Sequence, residues 1–168
     1  MLMRRNIIFT FFIILFVSIY SFGQNSASAT FTASVNIVEP ISIQTTANMN
    51  FASIDARNGG TVILNPDHSR ISTGDVQLDN SANVSAATFE VNGQNGYSYN
   101  INISQNSFRM VNGTSEIVIR DFNTNSNKST LNSDSQTINV GATLDIQANQ
   151  EPGLYTTPTP IEIMVSYN

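Results

Sequence analysis

His68 is the one histidine in the sequence, and there is no cysteine. A multi-histidine metal site, an HExxH arrangement, a disulfide staple and a lipid-anchored N-terminal cysteine are therefore excluded by composition. A Ser-His-Asp relay can be drawn through His68 with Asp67 or Asp75, but no Gly-x-Ser-x-Gly elbow accompanies it, and "NPDHSR" at 65–70 reads as a turn. Asp55, Asp67, Asp75 and Asp79 could offer oxygens to calcium, yet they lack the regular Asp-x-Asp spacing of a calcium loop and read as solvated turn acids. Paired carboxylates for glycoside hydrolysis leave no linear signature. No catalytic, cofactor-binding or metal-binding residue is assigned, no cofactor is expected, and the chain reads as a non-enzyme. Binding chemistry falls to the aromatic rings, because a sugar site needs exposed stacking platforms with polar tips. Tyr97 and Tyr99 share parity with Ile101 and Ile103 and are expected inside, which leaves Tyr155, beside Pro152-Gly153, as the candidate for ligand stacking.

Whatever these residues do, strands must position them. Ser, Thr and Asn abound, residues that favour turns and strand surfaces over helix interiors, and no long window carries a 3.6-residue apolar period. Period-2 runs recur instead. "ASATFTASVNI" puts Ala27, Ala29, Phe31, Ala33, Val35 and Ile37 on one face, with Ser, Thr and Asn on the other. "YSYNINIS", "TFEV", "EIVIRDF", "TINV" and "TLDI" behave likewise, with Phe89, Val91, Tyr99, Ile101, Leu144 and Ile146 expected in the core. Asn58-Gly59-Gly60, Asn92-Gly93, Asn95-Gly96 and Asn112-Gly113 are turn signals expected to supply positive backbone angles, and Pro40 ends the first alternating run. Residues 123–136, apolar only at Leu131, read as a mobile loop. The reading is one all-β domain at 24–168, an antiparallel sandwich or barrel.

"MLMRRN" leads into the apolar run Ile7 to Phe22 and the small residue Gly23, the pattern of a secretory signal peptide at 1–23. An anchoring helix is the rival reading, but the run is shorter than the roughly 20 residues a membrane span needs. Loss of Arg4 and Arg5 would take the formal charge from −5 to −7. Scattered cations and a net negative charge exclude nucleic acid and anionic membrane as partners, since phosphate recognition needs clustered Lys and Arg. Export to the periplasm, the cell surface or the medium is expected.

"MNFASID", "ATFEVNGQNGYSYNINI", "INVGATLDI" and "EPGLYTTPTPIEIMVSYN" together resemble a domain-of-unknown-function family of secreted β-sandwich proteins of Gram-negative bacteria, related to spore-coat-U-type and fimbrial subunits. The resemblance implies an immunoglobulin-like, pilin-like sandwich with an exported, surface-associated role. The closing segment is also similar to that of chaperone–usher pilins, with alternating apolar residues and a penultimate aromatic, Tyr167. That likeness implies related subunits, and a periplasmic chaperone, as partners.

Ile161, Ile163, Val165 and Tyr167 alternate with Glu162, Met164, Ser166 and Asn168. Neither this segment nor 27–37 contains the Lys, Arg or Pro that usually blunts an exposed edge. Both strands could pair inside their own domain, or 27–37 could be donated to a neighbour, which would make a head-to-tail contact that propagates. Two functions remain open: a structural subunit of the surface or of a fimbria-like assembly, with copies of itself or related subunits as partners, and a carbohydrate-binding or adhesive module.

Overall fold

Alternating side chains make a strand only where a second backbone takes up its N–H and C=O groups, so the ladders decide which period-2 runs become strands. A computed structural model describes residues 6, 7, 10, 26–125 and 129–168. The chain divides into two units, Met1–Asn36 and Ile37–Asn168.

In the first unit residues 6, 7 and 10 are helical, while 26–36 carry neither helix nor strand. The strand expected at 27–37 is therefore not formed, because alternation specifies a face and not a partner. Ala27, Ala29 and Ala33 are exposed, and so are Phe31 at 91% and Val35 at 85%. The signal peptide expected at 1–23, with its cleavage site, lies almost wholly outside the described residues. Among those residues no helix is long and apolar enough to cross a membrane.

Among the described residues every strand lies in the second unit. In chain order the strands are β1 (Ser42–Ala47), β2 (Ile54–Asp55), β3 (Gly60–Leu64), β4 (Arg70–Gly74), β5 (Gln77–Leu78), β6 (Ala87–Asn92), β7 (Ser98–Ile103), β8 (Ser107–Asn112), β9 (Ser115–Thr124), β10 (Ser129–Thr130), β11 (Ser135–Ile146) and β12 (Ile163–Tyr167). All pairings between them are antiparallel. The long strand β11 organises the larger sheet. Its first half pairs with β6, from Ser135↔Asn92 to Val140↔Ala87. Its second half pairs with β3, from Ala142↔Leu64 to Ile146↔Gly60. Along its other side runs β9. The path is β1-β6-β11-β3-β4, with β8 outside β9, and a separate sheet runs β10-β7-β12.

Two apolar clusters fill the interior. One gathers Val62, Leu64, Ile117, Ile119, Leu144 and Ile146 with Phe51 and Val76. The other lies between β6-β11 and β7-β12, and contains Val91, Tyr99, Leu131, Ile138 and Val140. Val91, Tyr99, Leu144 and Ile146 are buried as the parity of their strands predicts. Phe89 and Ile101, also expected in the core, are half-buried against the second cluster.

Strand parity fails once in β9. Ile117 and Ile119 point inward, and then Asp121 and Phe122 together oppose the single residue Ala142. Asp121 has φ 52°, so this two-against-one bulge turns Phe122 back to the interior, where it touches both clusters. The mobile loop expected at 123–136 is also corrected: β9 runs on to Thr124, β10 pairs with β7, and Leu131 is fully buried. Leu131 donates its N–H to the Tyr97 carbonyl and accepts from Gly96 N–H, so its one apolar side chain anchors the segment. Residues 126–128, with Lys128, lie outside the described residues.

Gly141 sits beside this bulge with no room for a side chain. A Cβ there would lie 2.2 Å from the Leu64 carbonyl oxygen and 2.6 Å from Asn123 Oδ1. The first contact is backbone, held by the Ala142↔Leu64 register, and cannot move without opening the ladder. Gly141→Ala is expected to cost about 1 to 3 kcal/mol, the range for overpacking a filled interior. An unchanged denaturant midpoint would show that the β3–β11 contact yields.

Candidate assembly edge

β12 follows "PTP" at 158–160, where the prolines prevent earlier pairing, and then alternates strictly. Its register with β7 runs from Ile163↔Ile103 to Tyr167↔Tyr99. Beyond the strand, Ser104 N–H donates to the Glu162 carbonyl at 3.2 Å, and Asn168 N–H donates to the Ser98 carbonyl at 3.0 Å. Directly opposed residues of an antiparallel pair alternate between bonding each other and facing away. The even-numbered residues Glu162, Met164, Ser166 and Asn168 therefore bond to β7. The odd-numbered Ile163, Val165 and Tyr167 turn their N–H and C=O groups to the opposite edge. Among the described residues no strand pairs with that edge.

The side chains of the same odd residues face the second cluster but are only half-buried, and so are Ile41 and Ile43 from the β1 side. Ile161 packs on the first cluster instead. An inward apolar row left half-covered beside a free backbone edge is the environment that an added strand completes. The only charge on residues 161–168 is Glu162, and it points outward and is exposed.

Tyr167 fixes the end of this strand. Its hydroxyl accepts from Gln94 N–H and donates to the Glu39 carbonyl, both at 2.7 Å. Its ring meets Tyr97 edge-on at 5.5 Å. Tyr97, expected inside, lies just before β7 and is 39% exposed, covering Tyr167 rather than filling the core. Gly93, where a positive backbone angle is expected, has none; it is glycine because a Cβ would sit 2.4 Å from the Tyr167 hydroxyl. Tyr167→Phe leaves the ring in place but strands a backbone donor and acceptor, and is expected to cost about 1 to 2 kcal/mol. A melting curve identical to that of the parent would refute this.

The other candidate residues are placed as follows. Ile37 is 87% exposed, like Phe31 and Val35 before it. Tyr155 is half-buried against the first cluster, and its hydroxyl donates to the Glu151 carbonyl and accepts from Gln150 Nε2, each at 2.8 Å. That ring is committed to packing, and Leu154 beside it is 81% exposed. The His68 ring takes Ala86 N–H on Nδ1 at 3.1 Å. Asp67 is engaged by Ser69, and Asp75 by Asn58. The Ser69 hydroxyl and then its N–H hold the Asp67 carboxyl below the usual carboxylate range, and Ser81 does the same for Asp79. Burial pushes the Tyr99 hydroxyl up. Arg120 is held charged chiefly by its two-pronged hydrogen bonds to Asp145, at 2.6 and 2.8 Å. Among the described residues no three His, Cys, Asp or Glu side chains converge to hold a metal.

β10 covers β7 only at Ser98 and Tyr99. Beyond it opens a cleft of about 370 Å³, where Asn102, Gln105, Asn106 and Asp121 surround Ile103 and Phe122. Sequence reasoning missed this cleft, because Phe122 reaches it through the bulge. Compared with curated proteins and with solved structures, the chain has no match in either. The alternating strands, the glycine made necessary by Tyr167 and the closing β12 all fall inside residues 41–167, which match the family model described as a domain of unknown function, DUF4402, and the chain belongs to that family.

Proposed function

We propose that this protein is an exported, non-enzymatic structural subunit of the cell surface or of a fimbria-like assembly, held to its neighbours by β-strand contacts. The observation that carries this is the free edge of β12 over a half-covered apolar row. Long unblunted edges recruit strands, and β12 carries no Lys, Arg or Pro. The exposed alternating segment 27–37 is the second half of the same reading, as a strand without a sheet. Electron microscopy and sedimentation of the purified chain from residue 24 onward test it. Fibres or a ladder of oligomers are expected. A single monomeric species across micromolar concentrations would overturn it.

The cleft beside β7 favours a second reading, a carbohydrate-binding or adhesive module. Amide and carboxylate groups around an aromatic ring are the chemistry that recognises a hydroxyl-rich ligand. Binding on a glycan array by a monomer, lost in Phe122→Ala and in Asn102→Ala, would favour that function over the subunit.

A further inference from the structure

We propose that the free edge of β12 accepts residues 27–37 of a second copy of this chain, added antiparallel, with odd-numbered residues opposite odd-numbered residues. The inference rests on the strand-mediated assembly proposed above and specifies its partner, direction and register.

Three observations lead to it. First, the hydrogen-bond parity of the β7–β12 ladder leaves Ile163, Val165 and Tyr167 with outward N–H and C=O groups, while Met164 and Ser166 are already bonded inward. An antiparallel newcomer must therefore place hydrogen-bonding residues opposite 163, 165 and 167. Second, opposed residues share a face, so those same newcomer residues point into the second cluster and must be apolar. In the segment 27–37 the odd positions Ala29, Phe31, Ala33, Val35 and Ile37 are apolar, and the even positions are Ser, Thr and Asn. A slip of one residue would bury the hydroxyls and amides instead. Third, Phe31, Val35 and Ile37 are 91%, 85% and 87% exposed while the edge is free, so one molecule carries both an uncovered strand and an uncovered acceptor. A neighbour meets both needs, and repetition of the contact extends a chain of subunits. Residues 26–38 carry no charge, so none is buried by the contact. The antiparallel direction follows the nine pairings of the domain and the better geometry of antiparallel ladders.

Ala33 lies within every register that sets three of Ala29, Phe31, Ala33, Val35 and Ile37 against 163, 165 and 167. This makes it the position to block. The experiment adds synthetic peptide ASATFTASVNI to the dilute chain from residue 24 onward and follows amide hydrogen exchange residue by residue. The amides of Ile163, Val165 and Tyr167 are expected to exchange fast alone and to slow by about tenfold or more with the peptide, while those of Met164 and Ser166 stay protected throughout. A peptide N-methylated at Ala33 should give no protection, and one N-methylated at Ser34 should act like the parent. Blocking by the Ser34 methyl alone would mean parallel addition and would overturn the register. Protection of the three odd amides in the dilute monomer without peptide would mean that the edge is completed within one chain, which also overturns the proposal. Fibres whose three odd amides still exchange fast would preserve strand-mediated assembly but remove this edge from it. A monomer that ignores the peptide would end both.

Discussion

A chain truncated after Pro160 is expected not to fold. The deletion removes Ile161, Ile163, Val165 and Tyr167, whose side chains are half-buried against the two clusters. A fully buried side chain of this size contributes about 1.5 to 3 kcal/mol, so four at half burial contribute roughly 3 to 6 kcal/mol. The ladder from Ile163↔Ile103 to Tyr167↔Tyr99 is lost as well, at about 0.5 to 1.5 kcal/mol for each hydrogen bond. Tyr167 takes with it the two hydrogen bonds that fix Gln94 and Glu39. Together these approach the whole stability of an ordinary domain, about 5 to 15 kcal/mol. Circular dichroism and one-dimensional NMR of the truncated chain should show an unfolded polypeptide. A cooperative melt would mean that β7 serves adequately as an edge and that β12 is dispensable to the body.

Leu131→Ala should be nearly as damaging, although it lies in a stretch of Asn, Ser and Asp. Its side chain is fully buried among Val91, Tyr99, Ile138 and Val140. Removing three carbons from such a site costs about 2 to 5 kcal/mol, with the upper end expected where surrounding strands cannot collapse. Tyr99 and Val91 are fixed by the ladders of β7 and β6, so little collapse is available. The measurement is the denaturant midpoint at constant slope. A midpoint within error of the parent would return 123–136 to the status of a free loop.

The residues show why some of this was legible in the sequence and some was not. Val91, Tyr99, Leu144 and Ile146 lie in runs of clean alternation, and period 2 places them inside without knowledge of their neighbours. Leu131 was misread because composition reports an average, whereas one apolar residue with two backbone hydrogen bonds anchors the loop. Phe122 breaks parity through a bulge at Asp121, a torsion to which no residue type in "IRDF" commits. Gly93 reads as a turn residue, but its cause is a tyrosine far along the chain. The candidate edge was legible in part. The alternation at 161–167 gives its face, but only the topology gives which side of β12 is free, and only the ladder gives which amides point there. The segment 27–37 has a legible face and no sheet of its own among the described strands.

The central place of β11 bears on how the chain is made. β3, β6 and β9 all find their partner in a strand that is synthesised after them. Their other partners, β4, β1 and β8, emerge before β11, but the bonds that join those pairs through β11 stay unmade until it leaves the ribosome, and at about 5 to 20 residues per second the interval from β3 to the end of β11 lasts several seconds. The two clusters hang on the same late strand and share Phe122, so neither half can consolidate early and shelter the other. Such dependence on distant contacts places folding among the slow, millisecond-to-second all-β cases. For most of its synthesis, this protein is a set of separate strand pairs, each with one edge waiting for β11.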